Sequence, residues 1–200
     1  MTDKIYDGGM LPEVTITPGL KFDFDKGKKV LFPKGYTPKQ VSVIDALVSE
    51  ANRQGIEFAA QLAYILATTY HECYNWNDTT SRMTQLIEMG GEAYLKAKKY
   101  YPFYGRGPNH LTWEENYRKE GKRIGLDLVK NPDLMLDVNI GSESSVYCMI
   151  HGSYRAGHTL AKYINPNKID FKGARNIINA GGDKADLIAG YANEFLKCIW

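Results

Sequence analysis

From residue 37 onward the chain is punctuated by helix starts, and a sheet-based fold cannot accommodate that many. Thr37-Pro38-Lys39-Gln40 joins an N-cap hydroxyl, a proline at the first helical position and a glutamine placed to close a capping box. Val41, Ile44, Leu47, Val48 and Ala51 then recur at helical spacing until Gly55. A second helix is expected from about Glu57 to Cys73, with Leu62, Ile65, Leu66 and Thr69 as its apolar stripe. Thr112-Trp113-Glu114-Glu115 reads as another capping box, opening a helix that ends near Gly125. Asp137, Asp170 and Asp183 are placed to head helices through Ile150, Ile178 and Leu196. The predicted fold class is mainly α, with one irregular stretch over residues 74–111.

Residues 1–36 read differently. Gly8, Gly9, Pro12, Pro18, Gly19, Gly27, Pro33 and Gly35 forbid a long helix there, and Val14–Thr17 and Val30–Phe32 are short β-type runs. The expectation is an extended N-terminal arm, with Leu11–Thr17 a candidate strand for a protein partner's sheet edge. The main domain is then residues 37–200, and a monomer is expected.

Composition excludes several classes. At 200 residues, 44% hydrophobic and 24% charged, the chain has the makings of one ordinary packed domain. A net charge of +2 gives no reason to expect nucleic acid as a partner. Cys73, Cys148 and Cys198 are odd in number and widely spaced, so they suggest buried thiols rather than disulfides or a zinc knuckle. No metal or other cofactor is called for. No stretch reaches the ~20 apolar residues of a membrane span, and the N-terminus lacks the apolar core of a secretion signal. Synthesis in the cytoplasm without membrane insertion is expected.

The chemistry concentrates around one carboxylate. Glu72 falls three positions after Thr69 and seven after Ile65, on the face the second helix turns inward. Partial burial and the nearby helix C-terminus both favour its protonated form, which suits a general acid; a structural glutamate bonded to His71 or an arginine is the competing reading. Glycoside cleavage needs a second carboxylate across the substrate, and Asp78, Glu88 and Glu92 are the candidates, between which spacing does not choose. Tyr100 to Tyr104 then packs four aromatics into five residues before Gly105-Arg106-Gly107. Aromatic faces suit sugar rings, and Arg106 is placed either to satisfy stray carbonyls or to hold a catalytic carboxylate ionised.

These residues carry a resemblance. His71-Glu72, the run Tyr104 to Trp113 with Asn116-Tyr117, Ile124 to Leu128, Asn131-Pro132-Asp133-Leu134 and Ile177-Ile178-Asn179, in this order, resemble glycoside hydrolase family 19. That family comprises chitinases and related endolysins of bacteriophages and prophages, and the likeness spans about residues 55–197. It implies a lysozyme-like helical domain with an irregular cleft segment, no metal, Glu72 as general acid and Glu88 as general base. It also implies a substrate cleft at Tyr104, Arg106, His110, Thr112, Asn116 and Asn179, with Thr112 and Asn116 near the attacking water. Two departures stand out: His110 replaces the usual glutamine before Leu-Thr, and Leu187 stands near a position where plant-type members have arginine.

The function expected is inverting hydrolysis of β-1,4 bonds in an N-acetylhexosamine glycan. Peptidoglycan is favoured over chitin, because nine Lys/Arg against four acids over residues 93–130 would steer an anionic polymer. The protein would then reach the bacterial wall after release, or as part of a phage particle. A lytic transglycosylase and a non-catalytic wall-binding virion protein are the alternatives. His71-Glu72 lacks the second histidine of a zincin, since Asn75 stands in its place, and Cys73 and His71 diverge on a helix surface, which disfavours a cysteine peptidase. Trp76 is placed either to line a sugar subsite or to anchor the core, His151 and His158 are read as structural, and Trp113 is expected to pack.

Overall fold

The computed structural model describes residues 19–75, 77–78 and 80–200. The Leu11–Thr17 strand and Trp76 lie outside the described residues. Among those described, nine α-helices dominate, with two 3-10 turns and one two-stranded antiparallel ladder pairing β1 (Ile164–Asn165) with β2 (Lys168–Ile169). No described helix is long and apolar enough to cross a membrane.

The larger core forms around α3 (Ala59–Glu72), where every residue from Leu62 to Tyr70 is buried. A helix apolar on all sides has to be surrounded. Here α2 (Pro38–Arg53), α6 (Val138–His151) and α9 (Ala185–Leu196) contribute to the same core. The Thr37 box forms as its sequence requires: Thr37 Oγ1 accepts from Gln40 N–H, and Gln40 Oε1 accepts from Thr37 N–H at 2.8 Å. Asp137 caps α6 by accepting from Asn139 and Ile140 N–H, and Asp170 caps α8 (Phe171–Ala174) through Gly173 N–H.

A smaller core gathers Phe103, Leu111, Tyr117, Leu128, Met135 and Cys148, beneath α5 (Glu114–Ile124). α6 serves both cores, Val146 and Met149 facing the larger and Cys148 the smaller. The irregular middle, which includes α4 (Gly91–Lys96), contributes Met83 and Leu86 to the larger core and Phe103 and Leu111 to the smaller.

Four local expectations are corrected. Residues 19–36 are part of the domain rather than an arm: α1 (Phe24–Val30) forms within them, and Phe22, Leu31 and Phe32 are buried in the larger core. Their apolar side chains outweigh the local Gly and Pro signal. Phe22 bridges Ile199, and the Lys21 and Trp200 backbones exchange two hydrogen bonds. Thr112 does not cap α5; its hydroxyl donates to the His110 carbonyl instead, and Trp113 takes the cap position at φ 77° without a side-chain bond. Trp113 is 51% exposed rather than packed. Asp183 gives way to Lys184 as the residue heading α9. α7 (Leu160–Tyr163), capped by Thr159, joins α6 to the ladder.

Candidate active site

Glu72 closes α3, so the rigidity of a fully buried helix fixes where its carboxylate stands. Its side chain is 21% exposed, and Oε1 accepts from Arg175 Nη1 at 2.5 Å. Arg175, in the 3-10 turn Arg175–Ile177, is itself held by Nε donating to the Asp183 carbonyl at 3.0 Å. Glu72 thus combines partial burial with the arginine contact that the competing, structural reading of this residue expected. Leu187, near the position where plant-type members have arginine, is 44% exposed on α9, and the guanidinium beside Glu72 belongs to Arg175. Next door, His71 Nδ1 is buried without a partner among the described residues. Burial pushes the His71 imidazole down, assisted by Arg175, Arg82 and Lys184 and opposed by Glu72.

Glu88 sits on a second, independent support. Its N–H donates to the Gly105 carbonyl at 2.8 Å, and Ile87 and Leu111 both bridge Arg106. Gly107 N–H adds a bond to the Leu86 carbonyl. Gly105 is required here, because a Cβ would stand 2.8 Å from His110 Cβ and 3.4 Å from Glu88 Cβ. Both carboxylate oxygens are held: Oε2 accepts from Gly105 N–H at 2.9 Å and Oε1 from the Tyr100 hydroxyl at 2.6 Å. Burial, followed by this hydrogen bond, pushes the Tyr100 phenol well up, so it stays protonated as the donor. Glu88 lines a hollow of about 560 Å³ with Gln85, Leu95, Tyr101 and Tyr104. Glu72 does not line it, although Asn75, three residues on, does. Glu92 also borders the hollow, but its side chain is 79% exposed and pairs with Lys96. Asp78 accepts from Thr80 in an exposed turn.

His110 connects the two supports. Its Nε2 lies 3.2 Å from the Gln85 carbonyl and 3.9 Å from Cys73 Sγ. Burial pushes the imidazole down, while Glu72 and Glu88 both oppose that shift, so both carboxylates lie within electrostatic reach of one ring. The loop containing it is tied to α3 by Thr69 Oγ1 donating to Asn109 Oδ1 at 3.0 Å, and by Cys73 Sγ approaching the Pro108 carbonyl at 3.1 Å. Burial pushes the Cys73 thiol well up, the opposite of what a nucleophile needs.

The remaining expected residues divide. Thr112 and Asn116 follow His110 in a short relay, Asn116 Nδ2 donating to the Thr112 carbonyl at 2.8 Å. Asn116 also borders a separate hollow of about 490 Å³ with Glu120, Arg123 and Tyr147. Asn179 is exposed, and its N–H donates to the Arg175 carbonyl. Arg106 holds no catalytic carboxylate: it is 3% exposed, donates to Asp133 Oδ1 at 2.7 Å and to the Pro102 and Tyr104 carbonyls, and lies under the Tyr104 ring. A buried guanidinium takes whatever acceptors fold around it, and here those are loop carbonyls and Asp133. Tyr104 thereby stands on a fixed base, stacked with Tyr101 at 6.3 Å between centroids.

Two contributors escape a reading of the sequence. Arg175 is one; its signal is a charge among Phe171, Ala174 and Ile177, all core-facing, which demands a buried acid as partner. Tyr100 is the other, legible as an aromatic but not as the hydroxyl that meets Glu88. The basic surplus over residues 93–130 is only partly offset: Arg118, Lys119 and Arg123 pair with Glu114, Glu115 and Glu120, acids of the same stretch, while Lys96 and Arg106 pair with Glu92 and Asp133 outside it.

Residues 42–155, more than half of the chain, match the glycoside hydrolase 19 family described as Chitinase class I. Endochitinase 1 of Theobroma cacao is 33% identical over 93 residues, covering 38% of this chain and 27% of its own length. Inactive chitinase-like protein 1 of Hevea brasiliensis is 55% identical over 38 residues, 19% of this chain and 11% of its own. The chain thus spans less than a third of either relative's length. Chitinase C from Streptomyces griseus HUT6037 superposes with a TM-score of 0.60 at 19% identity, covering 91% of this chain and 94% of that one. A bacterial family 19 chitinase gives 0.59 at 19% identity, over 88% and 94%. The likeness to these structures shows the helical, lysozyme-like fold.

Proposed function

The chain belongs to the glycoside hydrolase 19 family, and on that premise we propose that it is a glycosidase cleaving β-1,4 bonds in an N-acetylhexosamine glycan by inverting hydrolysis. What supports this most is the pair of carboxylates on separate rigid supports, Glu72 ending a buried helix and Glu88 held by two donors, within reach of the same histidine. Inversion needs two such groups with room for a water between them.

In this reading Arg175 occupies Oε1 of Glu72, and Oε2 carries the proton passed to the leaving glycosidic oxygen. As the bond to the anomeric carbon lengthens, positive charge grows on the ring. Glu88 accepts a proton from a water that attacks the opposite face, with Thr112 and Asn116 beside it. Tyr101 and Tyr104 offer ring faces to the sugar over the 560 Å³ hollow, and His110 and Asn179 are added as substrate contacts on the family resemblance. Arg106 acts at one remove, by holding Tyr104.

A chitin-type oligosaccharide is the first substrate in this proposal. The relatives above are chitinases or chitinase-like proteins, which favours it. Peptidoglycan is the second, on the likeness to phage-type members. Mass spectrometry of fragments from chitin oligomers and from purified peptidoglycan separates these substrates, and an anhydro sugar would indicate a transglycosylase instead. Glu72→Gln is expected to keep the fold and lower turnover about 10³-fold. Undiminished cleavage by that variant would remove Glu72 from the acid role.

A further inference from the structure

We propose that Tyr100 is a positioning residue for the base, its hydroxyl fixing the Glu88 carboxylate so that one lone pair of Oε1 faces the attacking water. This rests on the hydrolase reading above and adds a residue to it.

The geometry carries the case. Glu88 has two oxygens and four lone-pair directions. Gly105 N–H takes one on Oε2 and the Tyr100 hydroxyl one on Oε1, at 2.9 and 2.6 Å. Each oxygen keeps a direction open, while rotation of the carboxylate about its own axis is blocked from both ends. The 2.6 Å separation is in the range of a hydroxyl donating to an anion, the stronger kind of hydrogen bond. Such a donor fixes the orientation of its acceptor, and a base must be so oriented to take a proton from a water held at a set place.

Tyr100 is itself held. Its ring meets Trp113 edge-on at 5.3 Å, and the neighbouring Tyr101 N–H donates to the Lys98 carbonyl. Trp113 N–H donates to the Phe103 carbonyl, so the ring that braces Tyr100 is anchored by the same aromatic run. The segment therefore presents a hydroxyl to Glu88 from the side opposite Gly105. A tyrosine serving only as packing would have no need to direct its oxygen at the carboxylate.

Tyr100→Phe keeps the ring and its contact with Trp113 and deletes only the oxygen. The kcat is expected to fall about tenfold with KM within about twofold. A kcat that matches the parent would overturn the proposal. A second readout needs no turnover: at neutral pH the Glu88 carboxyl ¹³C resonance, identified by its absence in Glu88→Gln, should shift in Tyr100→Phe through loss of the hydroxyl's hydrogen bond. An unchanged resonance overturns the positioning role whatever the activity. Inactivity of the parent on every glycan, with the resonance shifted, would instead defeat the hydrolase reading and leave the Tyr100 contact standing.

Discussion

Glu72 and Arg175 form a half-buried pair, and their fates are linked. Arg175 is 5% exposed at its side chain and reaches across 103 residues of sequence to Glu72. Removing one member of such a pair leaves the other desolvated without compensation, which costs more than the pair contributes as a whole. Arg175→Met should therefore lower stability by about 3 kcal/mol in chemical denaturation. Adding Glu72→Gln to it should recover part of that loss, because a neutral amide needs no counter-cation. Strict additivity of the two substitutions would show that the contact is not energetically coupled.

At the scale of elements, Gly105 is the hinge on which the cleft is assembled. Its backbone contacts Glu88 through both its N–H and its carbonyl, and it leaves no space for a methyl group against His110. Gly105→Ala must push His110 or Glu88 aside, and the expected result is at least a tenfold fall in kcat with the far-UV helical signal retained. Unaltered kinetics would show that the strand pairing tolerates the shift. The helices around this loop were legible because their signals are local: Thr37 and Gln40 lie three residues apart, Asp137 caps within three, and Gly125 ends α5 at φ 74°. The loop was legible only in its composition. Thr112 has two acceptable hydrogen-bond partners, the α5 N-terminus and the His110 carbonyl, and the backbone at His110, φ 53°, favours the second. Arg106 and Arg175 find acids 27 and 103 residues away, distances at which no spacing rule operates.

At the scale of the whole molecule, residues 19–36 show how burial overrides a glycine- and proline-rich composition. Phe32 is 4% exposed and its ring lies against Tyr36, Tyr70 and Phe195. Phe32→Ala should cost about 3–5 kcal/mol in urea unfolding, and a loss below about 1 would return the segment to the status of a loose arm. Acid stability tests the fold from another side. His71, His110 and His158 are all held below the ordinary histidine value, first by desolvation, with Lys162 and Arg155 adding to the shift at His158. An unfolded chain takes up protons on these rings below about pH 6.5 that the folded chain refuses. Stability is thus full above that pH and declines below it. Asp23, Asp78 and Asp170, each lowered by hydrogen bonds, add their own losses only below about pH 4, the ordinary carboxylate range. Thermal unfolding between pH 7 and 4.5 therefore isolates the histidines. His110→Gln should flatten the decline in that window even if the left-handed backbone at 110 lowers the midpoint overall, because a glutamine side chain has no proton to refuse. An identical slope in parent and variant would mean that the His110 ring is as free to protonate in the fold as in the unfolded chain.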